Sequence, residues 1–220
     1  MPKSKRQKLV SLTKTAPKNR DDKERLIEEI QKFVETHQHI FIFSLLNSRS
    51  SYMKDVKTEW KSSRFFFGKN KVMAKALGTT PEEEVRPNLS KLANLLQGEV
   101  GLLFTNEEPS TVQEYFQNFK KQDYARSGVE ARELIVIPAG PVYRGEGLFP
   151  HNMEPQLRSL GMPTFLDKGV VTIHNDYTVC KPGDVLTPNQ AQLLKLFLFE
   201  TAEFQVKLTH HFYDGKLDTL

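Results

Sequence analysis

A turn of cations and one amide follows three consecutive aromatic residues in the stretch RFFFGKNKV, residues 64–72. The three rings predict a buried strand, so the polar turn after it has a rigid base. Lys69 and Lys71 offer cations, and a helix beginning near Lys71 would add free backbone N–H groups that attract anions. The Asn70 amide can donate and accept hydrogen bonds, while Gly68 lets a ligand approach the backbone closely. A phosphate cradle, a metal site and a solvated turn are the three interpretations open at this point.

A second set of polar residues follows the apolar run HIFIFSLL, which predicts a strand over 39–46 covered on both faces. In a mostly parallel sheet the carboxyl ends of the strands share one edge, where ligands bind. We therefore expect the loop NSRSSYMK to lie on the same edge as the first turn and to form a polyanion-binding surface with it. The candidate RNA-binding residues are Asn47, Arg49, Ser50, Ser51, Lys54, Arg64, Gly68, Lys69, Asn70 and Lys71.

Sequence signatures of catalysis and metal binding are lacking. A P-loop needs a glycine five positions before Gly68, where Ser63 stands. The six histidines occur without a Cys-x-x-Cys or a helical His-x-x-x-His, so no metal site is predicted. Cys180 beside Lys181 is either a thiol of lowered pKa or, as we prefer, a small half-buried side chain. We predict no catalytic residue, no cofactor and no enzymatic activity.

The positive charge of the chain is concentrated at its N-terminus. Residues 1–20 contain seven cations and no acid, so of the net charge of +4 the remaining 200 residues carry −3. The candidate basic-tail residues are Lys3, Lys5, Arg6, Lys8 and Lys14. Such a tail is typical of an arm that contacts a polyanion or directs nuclear import, the alternative being a solubilising terminus.

Helix and strand patterns alternate along the rest of the chain. A helix capped by Asp21 or Asp22 precedes the strand over 39–46, and capping-box patterns begin at Thr80 and Thr187. This rhythm predicts an α/β fold, with a mostly parallel sheet and helices on both faces. Between Tyr124 and Pro182 it gives way to short alternating runs rich in glycine and proline, which predict a small β-rich inserted domain.

These patterns divide the chain into four parts. The expected boundaries are a basic flexible tail at 1–20, an α/β RNA-binding domain at 21–123 plus 183–213, a β-rich module at 124–182 and a short C-terminal tail at 214–220. One cysteine permits no intramolecular disulfide, and the basic N-terminus is unlike a signal peptide. No apolar run is long enough to cross a membrane, so we expect a soluble intracellular protein with no membrane partner.

Several separated blocks resemble one known family. The blocks are PKSKRQKLVSLTKT, FIFSLLNSRSSYMKDVKTEWKSSRFFFGKNKVMAKALG, GEVGLLFTN, DYARSG, MEPQLRSLGMPT, GVVTIHNDYTVCKPGDVLTPNQAQLLKLF and ETAEFQVKL. In this order, across about residues 3–212, they resemble the mRNA turnover protein 4 family. Its members are ribosome assembly factors, paralogous to the acidic-stalk base protein of the large ribosomal subunit.

The resemblance implies an rRNA-binding α/β domain with an inserted module, seated on the stalk base of nuclear precursor particles. There it holds the site until the mature stalk protein replaces it. The family's rRNA contact falls on the GKNK turn and the NSRSS loop. The implied partners are large-subunit rRNA and pre-60S proteins near the stalk base, in the nucleus and nucleolus, with shuttling to the cytoplasm left open.

The end of the sequence bears on which paralogue it resembles. A stalk protein continues into helices that bind acidic partners, then a hinge and an acidic tail, whereas this sequence ends at Leu220. We therefore expect no binding of acidic stalk dimers, and the acidic tail common in the assembly-factor family is also missing. The alternatives are a structural stalk-base protein of mature ribosomes and an enzyme acting on RNA.

Overall fold

The computed structural model describes residues 20–220, so the predicted basic-tail residues Lys3, Lys5, Arg6, Lys8 and Lys14 lie outside the described part. The helices are α1 (Arg20–Thr36), α2 (Ser50–Glu59), α3 (Asn70–Leu77), α4 (Leu89–Asn94), α5 (Pro109–Asn118), α6 (Glu154–Ser159) and α7 (Pro188–Leu196), with a 3-10 helix at His151–Met153. The strands are β1 (His39–Leu46), β2 (Arg64–Phe66), β3 (Val100–Thr105), β4 (Lys120–Asp123), β5 (Ile135–Ile137), β6 (Gly140–Pro141), β7 (Tyr143–Arg144), β8 (Gly147–Leu148), β9 (Thr164–Asp167), β10 (Val170–Ile173), β11 (Tyr177–Cys180), β12 (Ala202–Tyr213) and β13 (Lys216–Thr219). Within residues 20–220, no helix combines the length and apolar character that a bilayer crossing requires.

The main sheet has the strand order β13-β12-β1-β3-β2, with β4 also paired to β12. The α/β class and the β-rich insert are confirmed, but the expectation of mostly parallel strands needs correction. The pairs β2–β3, β12–β13 and β12–β4 are all antiparallel. One crossover helix returns the chain to the edge where a strand began, whereas two helices, α3 and α4, connect β2 to β3. A second helical pass returns the chain to the opposite edge, so the next strand runs the other way.

A tight turn accounts for another antiparallel pair. Asp214 and Gly215 have positive φ values of 47° and 72°, the conformation of a two-residue hairpin turn that Asp-Gly favours. Residues Lys216–Thr219, which the pattern left as a C-terminal tail, therefore fold back on β12 as β13.

The described chain divides into two compact units. The first contains residues 20–42, Arg64–Asn106 and His210–Leu220. Its core holds the fully buried Ile30 and Val34 from the apolar stripe of α1. Phe66 and Phe104, from the paired strands β2 and β3, meet edge to face with ring centroids 5.5 Å apart. This core secures the strand from which the GKNK turn extends.

The second unit contains Phe43–Ser63 and Glu107–Thr209. The insert forms three small sheets, ordered β6-β10-β9, β11-β5 and β7-β8, whose pairs are all antiparallel. Phe149 and Met162 lie in its core, together with Leu193 and Leu194 of α7. The capping box predicted at Thr187 is confirmed, because its side chain accepts a hydrogen bond from the Gln190 backbone and the Gln190 side chain accepts one from the Thr187 backbone.

The other predicted capping box does not start a helix. The segment after Thr80 forms a turn, closed by a hydrogen bond of 3.0 Å from the Glu83 amide to the Thr80 carbonyl. Only six residues separate Thr80 from Pro87, and proline disfavours helical geometry in the residue before it. The next helix, α4, begins only at Leu89.

Candidate nucleic-acid interface

The GKNK turn connects β2 to α3 in the first unit. Lys69 occupies the N-cap position of α3, with extended backbone angles, and Asn70 is the first helical residue. The side chains of Lys69 and Lys71 are exposed. The predicted helix start is therefore confirmed within two residues, and both lysines stand on its first turn.

The electrostatics of this helix start are unfavourable unless an anion is present. The N-cap is a lysine with no side-chain capping hydrogen bond, and the first turn of α3 contains no acidic residue. A helix N-terminus carries partial positive charge, so a cation there costs about 0.3–1 kcal/mol. Among the described residues, neither Lys69 nor Lys71 has an ion-pair partner. The turn therefore concentrates unneutralised positive charge where backbone N–H groups are also free.

Gly68 and Asn70 hold this turn in place. A Cβ at Gly68 would lie 3.0 Å from Leu26 Cδ2 and 3.3 Å from Met73 Cγ, so glycine lets the backbone pack closely against α1 and α3. The Asn70 side-chain nitrogen donates to the Gly98 carbonyl at 2.8 Å, which ties the turn to the segment before β3. Asn70 thus has a structural role besides any contact with a ligand.

A further cation, Lys75, escaped the sequence analysis. It is exposed and lies four residues after Lys71, hence on the same face of α3 and about 6 Å further along the helix axis. Like charges at this spacing repel each other, and within the described residues Lys75 has no ion-pair partner. The i, i+4 spacing in KVMAK was the signal that could have revealed it. Together we call Lys69, Lys71 and Lys75 the α3 lysine row.

The candidate residues of the NSRSS loop belong to the second unit. Arg49 forms an ion pair with the buried carboxylate of Asp123, with Nη2 donating to Oδ1 at 2.9 Å. Asn47 adopts a left-handed conformation with φ 51°, and its side-chain nitrogen donates to the Glu203 carbonyl at 2.8 Å. The charge of Arg49 is thus largely neutralised inside the protein, and both residues fix the start of α2.

The remaining candidates differ in how available they are. Ser50, Ser51 and Lys54 are exposed on the first turns of α2. Arg64, at the start of β2 in the first unit, lies 3.8 Å from Glu29 and over the Phe66 ring. The two sets of candidates stand in different units, so their predicted alignment on one sheet edge stays a prediction.

The aromatic run before the turn is only partly buried, contrary to the sequence expectation. Phe65 and Phe66 are 6% and 4% exposed, whereas Phe67 is 39% exposed. β2 ends at Phe66, so Phe67 lies beyond the paired part of the strand.

Two other sequence interpretations can be compared with the structure. Cys180 is buried, and burial raises the pKa of its thiol, which contradicts the idea of an activated thiolate. In the described part of the chain, no three His, Cys, Asp or Glu side chains come together in a way that could hold a metal ion.

The position of α3 depends on the glycine at its C-terminal end. Gly78 has φ +96°, and an added Cβ would lie 2.5 Å from the Glu83 carbonyl oxygen. We expect Gly78→Ala to lower the free energy of unfolding, measured by urea denaturation, by about 2–4 kcal/mol. Gly98→Ala is the matched control, since Gly98 also has positive φ but open space around it, and should cost about 1 kcal/mol. Equal losses in the two variants would contradict the role of the close contact.

Comparisons with protein families agree with this architecture. The family model described as "Ribosomal protein L10" matches residues 18–121. A second family model, which describes the insertion domain of the 60S ribosomal protein of the same L10 type, matches residues 125–198. The chain is thus similar to L10-type ribosomal proteins that carry an inserted domain.

Individual relatives narrow the assignment. The ribosome assembly factor mrt4 of Neurospora crassa is 46% identical over 222 residues, which cover 94% of this chain and 88% of that protein. The protein of the same name from Schizosaccharomyces pombe is 46% identical over 220 residues, covering 96% of this chain and 91% of the relative. The chain belongs to the Mrt4 family of ribosome assembly factors. More distantly, the large ribosomal subunit protein uL10 of Thermococcus onnurineus is 26% identical over 88% of this chain and 56% of that protein, which supports a paralogous relationship.

Proposed function

We propose that this protein is a non-enzymatic assembly factor of the large ribosomal subunit that binds rRNA at the stalk base. It occupies this site in nuclear and nucleolar precursor particles and holds it until the mature stalk protein takes its place. Its partners are large-subunit rRNA and neighbouring pre-60S proteins, and its absence would impair rRNA processing. Membership of the Mrt4 family supports the assembly role, because its relatives are named ribosome assembly factors.

One observation carries the RNA-binding part of the proposal: the α3 lysine row presents unneutralised cations at an uncapped helix start. Phosphate groups would relieve both the repulsion among the lysines and the unfavourable helix dipole. Because the contacts are mainly with phosphates, they position the protein on a folded RNA without reading its sequence. Recognition then depends on the shape of the rRNA, which suits reversible occupancy of a site.

A second candidate function is a structural stalk-base protein of mature ribosomes, favoured by the match to uL10. The same lysine row would serve both functions, so binding to RNA alone does not separate them. Sedimentation of cell extracts does: an assembly factor is found with precursor particles, whereas a mature stalk-base protein is found in translating polysomes. Presence mainly in polysomes would overturn the first proposal.

The phosphate contacts predict a strong salt dependence of binding. With six phosphates neutralised, log Kobs for an in vitro transcript of the stalk-base rRNA should fall against log salt with a slope of magnitude ~4–5. Changing Lys69, Lys71 or Lys75 singly to glutamine should reduce that slope by about 0.7–0.9 each, because each change removes one phosphate contact. The measurement is fluorescence anisotropy over a range of KCl concentrations.

The matched control for this series is Lys91→Gln, which removes an exposed lysine of α4 in the same unit. Its charge interacts with Glu84, and we assign it no role in binding. The control should leave the slope unchanged. A complex insensitive to salt, or a control that lowers the slope as much as the α3 variants, would refute the proposed contact surface.

A further inference from the structure

Phe67 is an exposed aromatic ring beside the α3 lysine row. All 15 phenylalanines of the chain lie in the described part, and Phe67 is the only one of them that is exposed. Its exposed fraction of 39% contrasts with near-complete burial of its two neighbours in sequence. Two residues separate it from Lys69, the N-cap of α3. The first unit therefore presents a large apolar surface next to its least neutralised cations.

The strand register explains why this ring remains accessible. Phe66 pairs with Leu102, and the same register carried one residue further places Phe67 opposite Gly101. Directly opposite residues of antiparallel strands project to the same face, and glycine has no side chain to cover a neighbour. The ring is thus exposed because of what stands across from it, although the local sequence is strongly apolar.

The ring is also held on a rigid base. The residue before it, Phe66, is packed in the core of the first unit. The residue after it, Gly68, packs against Leu26 and Met73 so closely that an added Cβ would stand only 3.0 Å from the nearest of their atoms. A side chain fixed on both sides loses little conformational freedom on binding, which favours a planar partner.

We propose that Phe67 stacks on an unpaired nucleobase of the RNA whose phosphates are bound by the α3 lysine row. This inference rests on the proposed function and adds to it the kind of RNA element recognised: backbone phosphates adjoining a base that is free to leave its own stack. Aromatic side chains stack on such bases in single-stranded loops and bulges, and neighbouring cations hold the backbone. Phosphate contacts alone accept any duplex of suitable shape, whereas the added ring selects RNA with an unpaired base.

The test uses the full chain and the stalk-base rRNA transcript described above. We expect Phe67→Leu to weaken binding by about 5- to 100-fold, since it removes the ring and keeps an apolar side chain. Phe67→Tyr keeps the ring and should bind within about threefold of the parent. Because no phosphate contact is lost, the salt slope of Phe67→Leu should equal that of the parent.

Leu95→Ala is the matched control, because Leu95 is an apolar side chain of the same unit with a similar exposed fraction of 37%. It should bind RNA normally, and thermal denaturation should show all variants folded. If Phe67→Leu binds the transcript like the parent while the lysine variants lose slope, the stacking proposal fails and the proposed function stands. If only Phe67→Leu weakens binding, the base contact stands and the lysine surface fails. Loss of precursor-particle association without loss of RNA binding would identify Phe67 as a protein contact and refute its stacking role.

Discussion

Replacing both Lys69 and Lys71 by glutamate is expected to abolish association with precursor ribosomal particles while leaving the fold intact. The double change alters the local charge by four units at a site proposed to face phosphates. At about 1 kcal/mol per unit charge in water, this amounts to roughly 4 kcal/mol, on the order of a thousandfold in affinity. Stability should not fall, because acidic residues at a helix N-terminus interact favourably with its dipole. The variant should therefore melt at the same temperature as the parent or slightly above it.

Sedimentation of cell extracts through a sucrose gradient measures this association. The matched control is Lys91→Glu with Lys195→Glu, which changes the net charge equally at exposed lysines on α4 and α7. The control protein should remain with the precursor particles. Normal co-sedimentation of the Lys69 and Lys71 variant would show that the proposed surface is wrong. Equal loss in the control would show that net charge, and not this turn, governs binding.

Acidification below about pH 6.5 is expected to destabilise the first unit through a buried pair of histidines. His39 of β1 and His211 of β12 are both buried, with His39 Nδ1 and His211 Nε2 3.0 Å apart. Tyr213 stacks on His39, and Phe41 stacks on His211. One neutral ring donates its N–H to the other, an arrangement that a proton on each ring would break.

The direction of the pH effect follows from the pKa values of these rings. Burial lowers the pKa of both histidines, and the proximity of His39 lowers that of His211 further. The carboxylate of Asp218, opposite His211 on β13, acts in the other direction without cancelling the effect. Since the folded rings bind protons less readily than the unfolded ones, stability is full above the unfolded pKa near 6.5 and is lost as pH falls toward the folded pKa values. Each histidine contributes up to about 1.4 kcal/mol per pH unit in that window.

Urea denaturation at several pH values between 5 and 8 tests this prediction. His211→Gln should flatten the pH dependence, at the cost of some stability at pH 8, because glutamine does not titrate. His151→Gln, at an exposed histidine of the second unit, is the control and should keep the parent's pH dependence. A parent protein whose stability is unchanged from pH 8 to pH 5.5 would contradict the prediction.

Much of the local structure could be predicted because it depends on neighbours in sequence. The run HIFIFSLL forms β1 over the predicted residues, and α2 begins at Ser50 as expected. The Thr187 capping box forms because its partner is three residues away. The GKNK turn was recognised from its chemistry, and the structure adds that its helix start lacks any neutralising group. Periodicity and capping act within one or two turns, so the amino-acid order suffices to place them.

The sequence by itself determined which segments are helices and strands, where the cations gather and which family the chain resembles. Only the tertiary structure decided what those elements pair with. Asp123, which neutralises Arg49, lies 74 positions away, and His211 lies 172 positions from His39. Phe67 is exposed because a glycine of another strand stands opposite it in the register of β2 and β3. Ion pairing, burial and strand direction depend on residues brought together by folding, and a pattern confined to neighbouring positions does not contain that information.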